Sequence, residues 1–156
     1  MEKLDLRDVV RDATEIISFE QGKAGVKIRF VRDSEVAIVQ GDRVLLEPAC
    51  INLIMNAFES MSDIPIAKRE LVIRTTTDKD RVHLSFRDTG CGILESIRNQ
   101  VFDAFFTPKE QGVGVGLSLC QSIAESHTGV IAAEPNHGPG VTFVLTLPRY
   151  TSVSKR

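Results

Sequence analysis

The sequence predicts a two-layer α/β sandwich, a mixed and largely antiparallel sheet with helices on one face. Three features carry that expectation. Stretches with apolar residues at every second position are mixed with stretches of helical spacing. Two strand-like stretches are joined by a short polar turn, a connection open only to antiparallel neighbours. The strand–helix–strand rhythm of a doubly wound parallel sheet is absent. At 156 residues the chain fits one domain with room for a sizeable core.

Arg7 to about Lys23 carries Val9, Val10, Ala13, Ile16 and Ile17 at helical spacing, and the predicted helix ends near Gly25. Val26, Ile28 and Phe30 alternate as in a half-buried strand, and "RDSE" turns the chain into Val36 to Val39. Asp42 is a suitable N-cap for the helix that follows. Pro48 falls inside that helix, where it removes a hydrogen bond and crowds the carbonyl of Val44 at a cost of about 3 kcal/mol. The cheaper expectation is a short turn over Arg43 to Glu47, with the main helix starting or kinking near Pro48. After the polar connection "SDIPIAKRE", Leu71 to Thr77 and Val82 to Arg87 form a predicted hairpin around "DKD". A glycine-containing loop and a poorly periodic segment lead to a helix from Leu117 to about His127. Strands over Val130 to Glu134 and Val141 to Leu147 flank "PNHGPG", and "RYTSVSKR" reads as a frayed tail or linker.

A formal charge of −2 gives no general attraction to nucleic acid or to an anionic membrane. No apolar run approaches the ~18 residues of a membrane span, and "MEKLDLRDVV" has no signal-peptide core. Cys50, Cys91 and Cys120 are odd in number and lack metal-type spacing, so reduced thiols in the cytoplasm are expected.

The chemistry concentrates in four stretches. Asn52 and Asn56 lie four residues apart on one face of an otherwise oily helix. An amide buried without partners costs on the order of 1–3 kcal/mol. Such a pair either bonds neighbouring backbone or supplies carbonyl oxygens to Mg²⁺, which shares itself with substrate phosphates. In "RDTGCGI", Asp88 places a carboxylate at a strand end, and Gly90 and Gly92 permit close approach. The stretch makes either a tight turn or a seat for a nucleotide base whose exocyclic amine donates to the carboxylate. "GVGVGLS" sets Gly112, Gly114 and Gly116 before a helix whose start can bind phosphate. Its G-x-G-x-G spacing is neither the dinucleotide fingerprint nor the P-loop, and a glycine-hinged lid is the better physical reading. In "VFDAFFTPK", Phe102, Phe105 and Phe106 suit a core, while Thr107 and Lys109 can reach a phosphate.

In this order and at this spacing, the four stretches make the chain resemble the catalytic ATP-binding domain of sensor histidine kinases. That domain has the Bergerat-type fold shared with gyrase, Hsp90 and MutL ATPases. "NLIMNA" resembles the N box, "DTGCGI" the G1 box, "FDAFFTPK" the F box and "GVGVGLSLCQSIAESHTG" the G2 box. "GPGVTFVLTLP" is similar to the closing strand, and the likeness runs from about Leu4 to Pro148. It implies that Asn52 and Asn56 hold Mg²⁺ and the phosphates of ATP, with Asn56 the more direct ligand. Asp88 would accept from the adenine amine, in a pocket shaped by Gly90, Gly92 and Ile93. Phe105, Thr107, Lys109, Gly112, Gly114, Gly116 and Leu117 would surround the nucleotide, and Thr142 would support the base.

ATPases of this fold, and the serine kinases that share it, carry a glutamate four residues before the metal asparagine. Here Asn52 occupies that place, and an amide is no base at ordinary pH. A neutral histidine already presents a lone pair, so the resemblance implies phosphoryl transfer to histidine. The alternatives are a degenerate nucleotide-binding or scaffolding module and a self-sufficient gyrase- or Hsp90-like ATPase. Departures from the pattern are Glu59, Val113 and Val115. Residues 1–149 are expected to be the catalytic domain and 150–156 a tail. No H-E/D-x-x-x-P acceptor motif is present, and His83, His127 and His137 read as structural. The expected partners are a histidine-bearing dimerisation domain and a downstream response regulator.

Overall fold

The fold is that of a computed structural model, described over residues 1–33, 36–93, 100–102 and 115–151. In chain order the elements are β1 (Glu2–Asp5), α1 (Leu6–Ile16), α2 (Ser18–Ala24), β2 (Lys27–Arg32), β3 (Ile38–Gly41) and α3 (Arg43–Ser60). A 3-10 turn (Ile66–Lys68) leads to β4 (Glu70–Thr77), β5 (Arg81–Asp88), α4 (Val115–Ser126), β6 (Val130–Pro135) and β7 (Val141–Pro148). Five strands form the main sheet in the order β2-β4-β5-β7-β6, with β2 parallel to β4 and the other pairs antiparallel. β1 and β3 make a separate two-stranded ribbon. The mixed sheet and the predicted hairpin are both present.

Alternation decides which face the helices cover. Val82, Leu84 and Phe86 of β5 point to one side, with Leu71 and Ile73 of β4 and Val141, Phe143, Leu145 and Leu147 of β7, and all are buried. Each such side chain contributes about 1.5–3 kcal/mol relative to leaving it in water. α3 lies on this face and packs on β5, with α1 and α4 as its neighbours. It buries Leu46, Ala49, Cys50, Leu53, Ile54, Ala57 and Phe58. The opposite face of the sheet carries Arg74, Arg87 and Ala132, which are exposed.

Three elements differ from expectation. The predicted first helix is two, broken at Ile17 (φ −100°, ψ 23°). The cause lies in the pattern: α1 buries Val9, Val10 and Ala13, whereas α2 buries no residue. β1 was not expected, being too short to show a period. The expected short turn over Arg43 to Glu47 is replaced by one helix that runs from Arg43 to Ser60 with Pro48 inside it. Pro48 and Val44 are both exposed, so the Val44 carbonyl that loses its donor sits at the solvent surface. Asp42 caps the helix as predicted, its side chain accepting from the Val44 N–H at 2.9 Å.

One histidine locks this cap to the other end of the helical layer. His127 is buried at the end of α4; its Nε2 accepts from the Asp42 N–H (3.0 Å) and its Nδ1 donates to the Ile123 carbonyl (2.8 Å). These partners fix the tautomer. His83 bonds Thr146 and Asp78. At the far end the Tyr150 N–H donates to the Ile38 carbonyl (2.8 Å), and Lys3 sits over the Tyr150 ring.

Candidate nucleotide site

α3 is the element on which the separate motifs meet. Asn52 and Asn56 are half-buried on the same side of α3, beside rather than within the Leu53–Ile54 and Ala57–Phe58 core face. Gly116, in the first turn of α4, comes close to the first of them: a Cβ added there would meet the Asn52 side chain at 4.0 Å. One turn beyond Asn56, Ser60 accepts at its carbonyl from the Cys91 N–H at 3.1 Å. Gly90 lies flat against the same residue, where a Cβ would come within 2.4 Å of Ser60 Oγ and 2.6 Å of its carbonyl oxygen. Only glycine fits this approach. The loop after β5 is thereby fastened to the C-terminal end of the amide-bearing helix.

Asp88 occupies the position in β5 that the alternation Val82–Leu84–Phe86 reserves for an apolar side chain. It is fully buried, at 0% exposure. Its Oδ1 accepts from the Gly90 N–H (2.9 Å) and from the Val141 N–H (3.3 Å), which fixes the plane of the carboxylate, and Oδ2 is buried with it. Burying a carboxylate is costly even with such partners, so a structural role alone is a poor explanation for it. The turn before β7 closes over this group. Gly140 has φ +94°, and a Cβ on it would lie 2.0 Å from the Asp88 carbonyl oxygen. Gly92 packs on the same turn, 3.4 Å from the Gly140 carbonyl oxygen as measured from an added Cβ.

Thus Gly116 meets Asn52 at one point of α3, the loop of Gly90 and Gly92 after Asp88 is fastened to Ser60 two turns further on, and Asn56 lies on the helix between them; the half-buried Ile93 and Leu117 pack against the same core. Thr142 stands apart. It alternates with the buried Val141 and Phe143, so it points to the other face of the sheet, and its hydroxyl donates to Asn136 Oδ1. The β7 group that reaches the Asp88 carboxylate is the Val141 N–H instead. Phe105, Thr107, Lys109, Gly112 and Gly114 lie outside the described residues. Phe102 is core, edge-on to Phe143 with ring centroids 5.9 Å apart.

All three cysteines are free thiols, but they differ in chemistry. Burial pushes the Cys50 thiol up to about 12, with lesser contributions from neighbouring Cys120 and Glu47. Burial likewise pushes Cys120 up to about 12, opposed by its hydrogen bond with the Asn52 side chain. Cys91 is exposed in the loop after β5. Alkylation at pH 8 is therefore expected to label Cys91 alone in the native protein and every cysteine in denaturant. Mass spectrometry of the labelled peptides checks this, and rapid native labelling of Cys120 would contradict the packing of α4 on Asn52.

Comparisons with known proteins give the family and the fold. Residues 41–151 match the family model described as histidine kinase-, DNA gyrase B- and HSP90-like ATPase. The chain is 33% identical over 150 residues to the sensor histidine kinase TmoS of Ectopseudomonas mendocina, covering 95% of this chain and 15% of that protein. It is 40% identical over 124 residues to the sensor protein FixL of Bradyrhizobium diazoefficiens, covering 79% of this chain and 24% of that protein. The chain thus spans no more than about a quarter of the length of either relative. Among solved structures, the catalytic domain of histidine kinase ThkA superimposes with a TM-score of 0.84 at 30% identity, covering 96% of this chain and 97% of that one. The chain belongs to the histidine kinase-, DNA gyrase B- and HSP90-like ATPase family, and within it is similar to the catalytic domains of sensor histidine kinases.

Proposed function

We propose that this chain binds Mg–ATP and passes the γ-phosphoryl group to a histidine on a separate dimerisation domain. The observation that supports the proposal is the placement along α3 of a pair of half-buried amides, one of them beside the first turn of α4, with the loop after the buried Asp88 carboxylate fastened to the same helix at Ser60. Asp88 would accept from the exocyclic amine of adenine, its plane already set by the Gly90 and Val141 N–H groups. The first-turn N–H groups of α4, around Gly116 and Leu117, would favour the phosphates. Lys109 would supply a point charge to the γ-phosphate.

The residues present suit magnesium. Asn52 and Asn56 offer neutral carbonyl oxygens one helical turn apart, the hard donors that this ion takes while keeping waters and phosphate oxygens as its other ligands. Bound there, Mg²⁺ would neutralise charge on the triphosphate. Neither amide can take a proton from water, so hydrolysis gains no base at the place where the ATPases of this fold carry one. A neutral imidazole needs no such help. Its nitrogen forms the N–P bond as the bond to the β–γ bridging oxygen breaks and ADP leaves. What remains for this chain is positioning and charge stabilisation. The ThkA kinase has been solved in complex with the response regulator TrrA, and a response regulator is the proposed downstream partner here as well.

γ-Labelled ATP mixed with this chain and a separately produced histidine-bearing dimerisation domain tests the reading. Acid-labile label on the added domain is expected. Steady release of inorganic phosphate with no protein label would favour the ATPase alternative instead. Lys109→Ala is expected to weaken ATP roughly ten-fold while ADP changes little, the scale of one charge-assisted contact. Equal loss for both nucleotides in a calorimetric titration would remove Lys109 from the γ-phosphate.

A further inference from the structure

The turn between β6 and β7 contains a side chain that none of the four motifs includes. Asn136 uses its whole amide within the protein. Its Nδ2 donates to the Asp88 carbonyl (2.9 Å) and to the Pro139 carbonyl (2.9 Å), and its Oδ1 accepts from the Thr142 hydroxyl. The first bond reaches back across the sheet, from residue 136 to residue 88, and the other two close the turn on itself. The consequence falls on the carboxylate. Val141, which donates to Asp88 Oδ1, follows directly on the turn that Asn136 closes, and Gly140 lies against the Asp88 carbonyl.

We infer that Asn136 is a positioning residue for adenine selection, holding backbone and carboxylate of Asp88 in one orientation through the turn that Thr142 completes. The inference rests on the assignment of Asp88 to the adenine amine made above. It also gives Thr142 a role from the far face of the sheet. Its hydroxyl acts on the base only through Asn136. A carboxylate that must meet one exocyclic amine gains from a fixed plane, because a misdirected acceptor forfeits most of a hydrogen bond. Without the Asn136 amide, the Val141 donor and the Asp88 backbone lose their common anchor.

The test compares ATP with purine riboside triphosphate, which lacks the exocyclic amine, by calorimetry with Mg²⁺ on the wild-type chain, Asn136→Ala, Asp88→Asn and the double variant. Asn136→Ala is expected to weaken ATP roughly five- to tenfold while barely changing the deamino analogue. The double variant is expected to bind ATP no more weakly than Asp88→Asn alone, because the two act on one contact. A merely structural role would lower both nucleotides together, and that result would overturn the inference. So would an unchanged preference for ATP in Asn136→Ala while Asp88→Asn loses it, which leaves the adenine assignment standing. If Asp88→Asn itself keeps the full preference for ATP, the adenine assignment falls and the inference falls with it. Thr142→Val removes only the hydroxyl that Asn136 accepts from, so it gives a second reading that survives any folding defect of Asn136→Ala. A smaller loss of the same preference is expected there, and an unchanged preference would count against the proposed path.

Discussion

Asp88→Asn is expected to weaken ATP by about 1.5–3 kcal/mol, roughly ten- to a hundredfold, without weakening the fold. The two substituents differ by one group of similar size. The Gly90 and Val141 N–H groups still require an acceptor, so the amide oxygen takes the place of Oδ1 and the NH₂ takes the place of Oδ2. A donor then stands where the adenine amine also donates. Stability moves the other way or stays level, because the variant no longer buries a charge at 0% exposure. Calorimetric titration beside a thermal melt separates the two effects. Lower affinity with an equal or higher melting temperature is the expected pair, and unchanged affinity would remove Asp88 from the adenine contact. Such a trade of stability for binding is usual for a group retained by its chemistry.

Gly140→Ala is expected to produce the largest loss of stability of any single methyl addition in the site. At φ +94° an L side chain is strained by about 1–3 kcal/mol. The new methyl would also stand 2.0 Å from the Asp88 carbonyl oxygen and 2.8 Å from Oδ1, so the turn must lift from the end of β5. Lifting it breaks the Val141 bond to the carboxylate. A destabilisation of at least about 2 kcal/mol follows, or roughly 4–8 °C in melting temperature for a domain of this size. ATP affinity is expected to fall with it. Gly138→Ala, two residues earlier in the same turn, meets nothing within 4 Å and serves as the control. Near-equal melting temperatures for the two variants would show that the turn does not press on Asp88.

Much of this was legible before any coordinates. The antiparallel hairpin, the Asp42 cap and the closing strands follow from alternation and capping chemistry, which are local. The amide pair stood out because amides on an oily helix need a reason. Less legible was anything set by tertiary neighbours. Helix α3 tolerates Pro48 because that flank is exposed, and the helix broken at Ile17 reflects how little of α2 is buried. Asp88 shares the parity of Val82, Leu84 and Phe86, a signal that would have placed it on the core face had the strand been carried one residue further. The same parity rule turns Thr142 away from that face. Asn136 gave no local sign, since an asparagine in a proline- and glycine-rich turn is ordinary; its partner at residue 88 is visible only once β5 and β7 pair.

The central claim is that the amides of α3, the carboxylate of β5 and the start of α4 bind one nucleotide. Amide chemical shifts recorded while Mg²⁺ and a non-hydrolysable ATP analogue are added test it most directly. Saturable shifts with one common dissociation constant are expected at Asn52, Asn56, Asp88, Gly92 and Gly116, and none at Lys27 and Lys68, which line a groove of about 340 Å³. Shifts confined to that groove, or different constants at Asp88 and at Asn52, would contradict it.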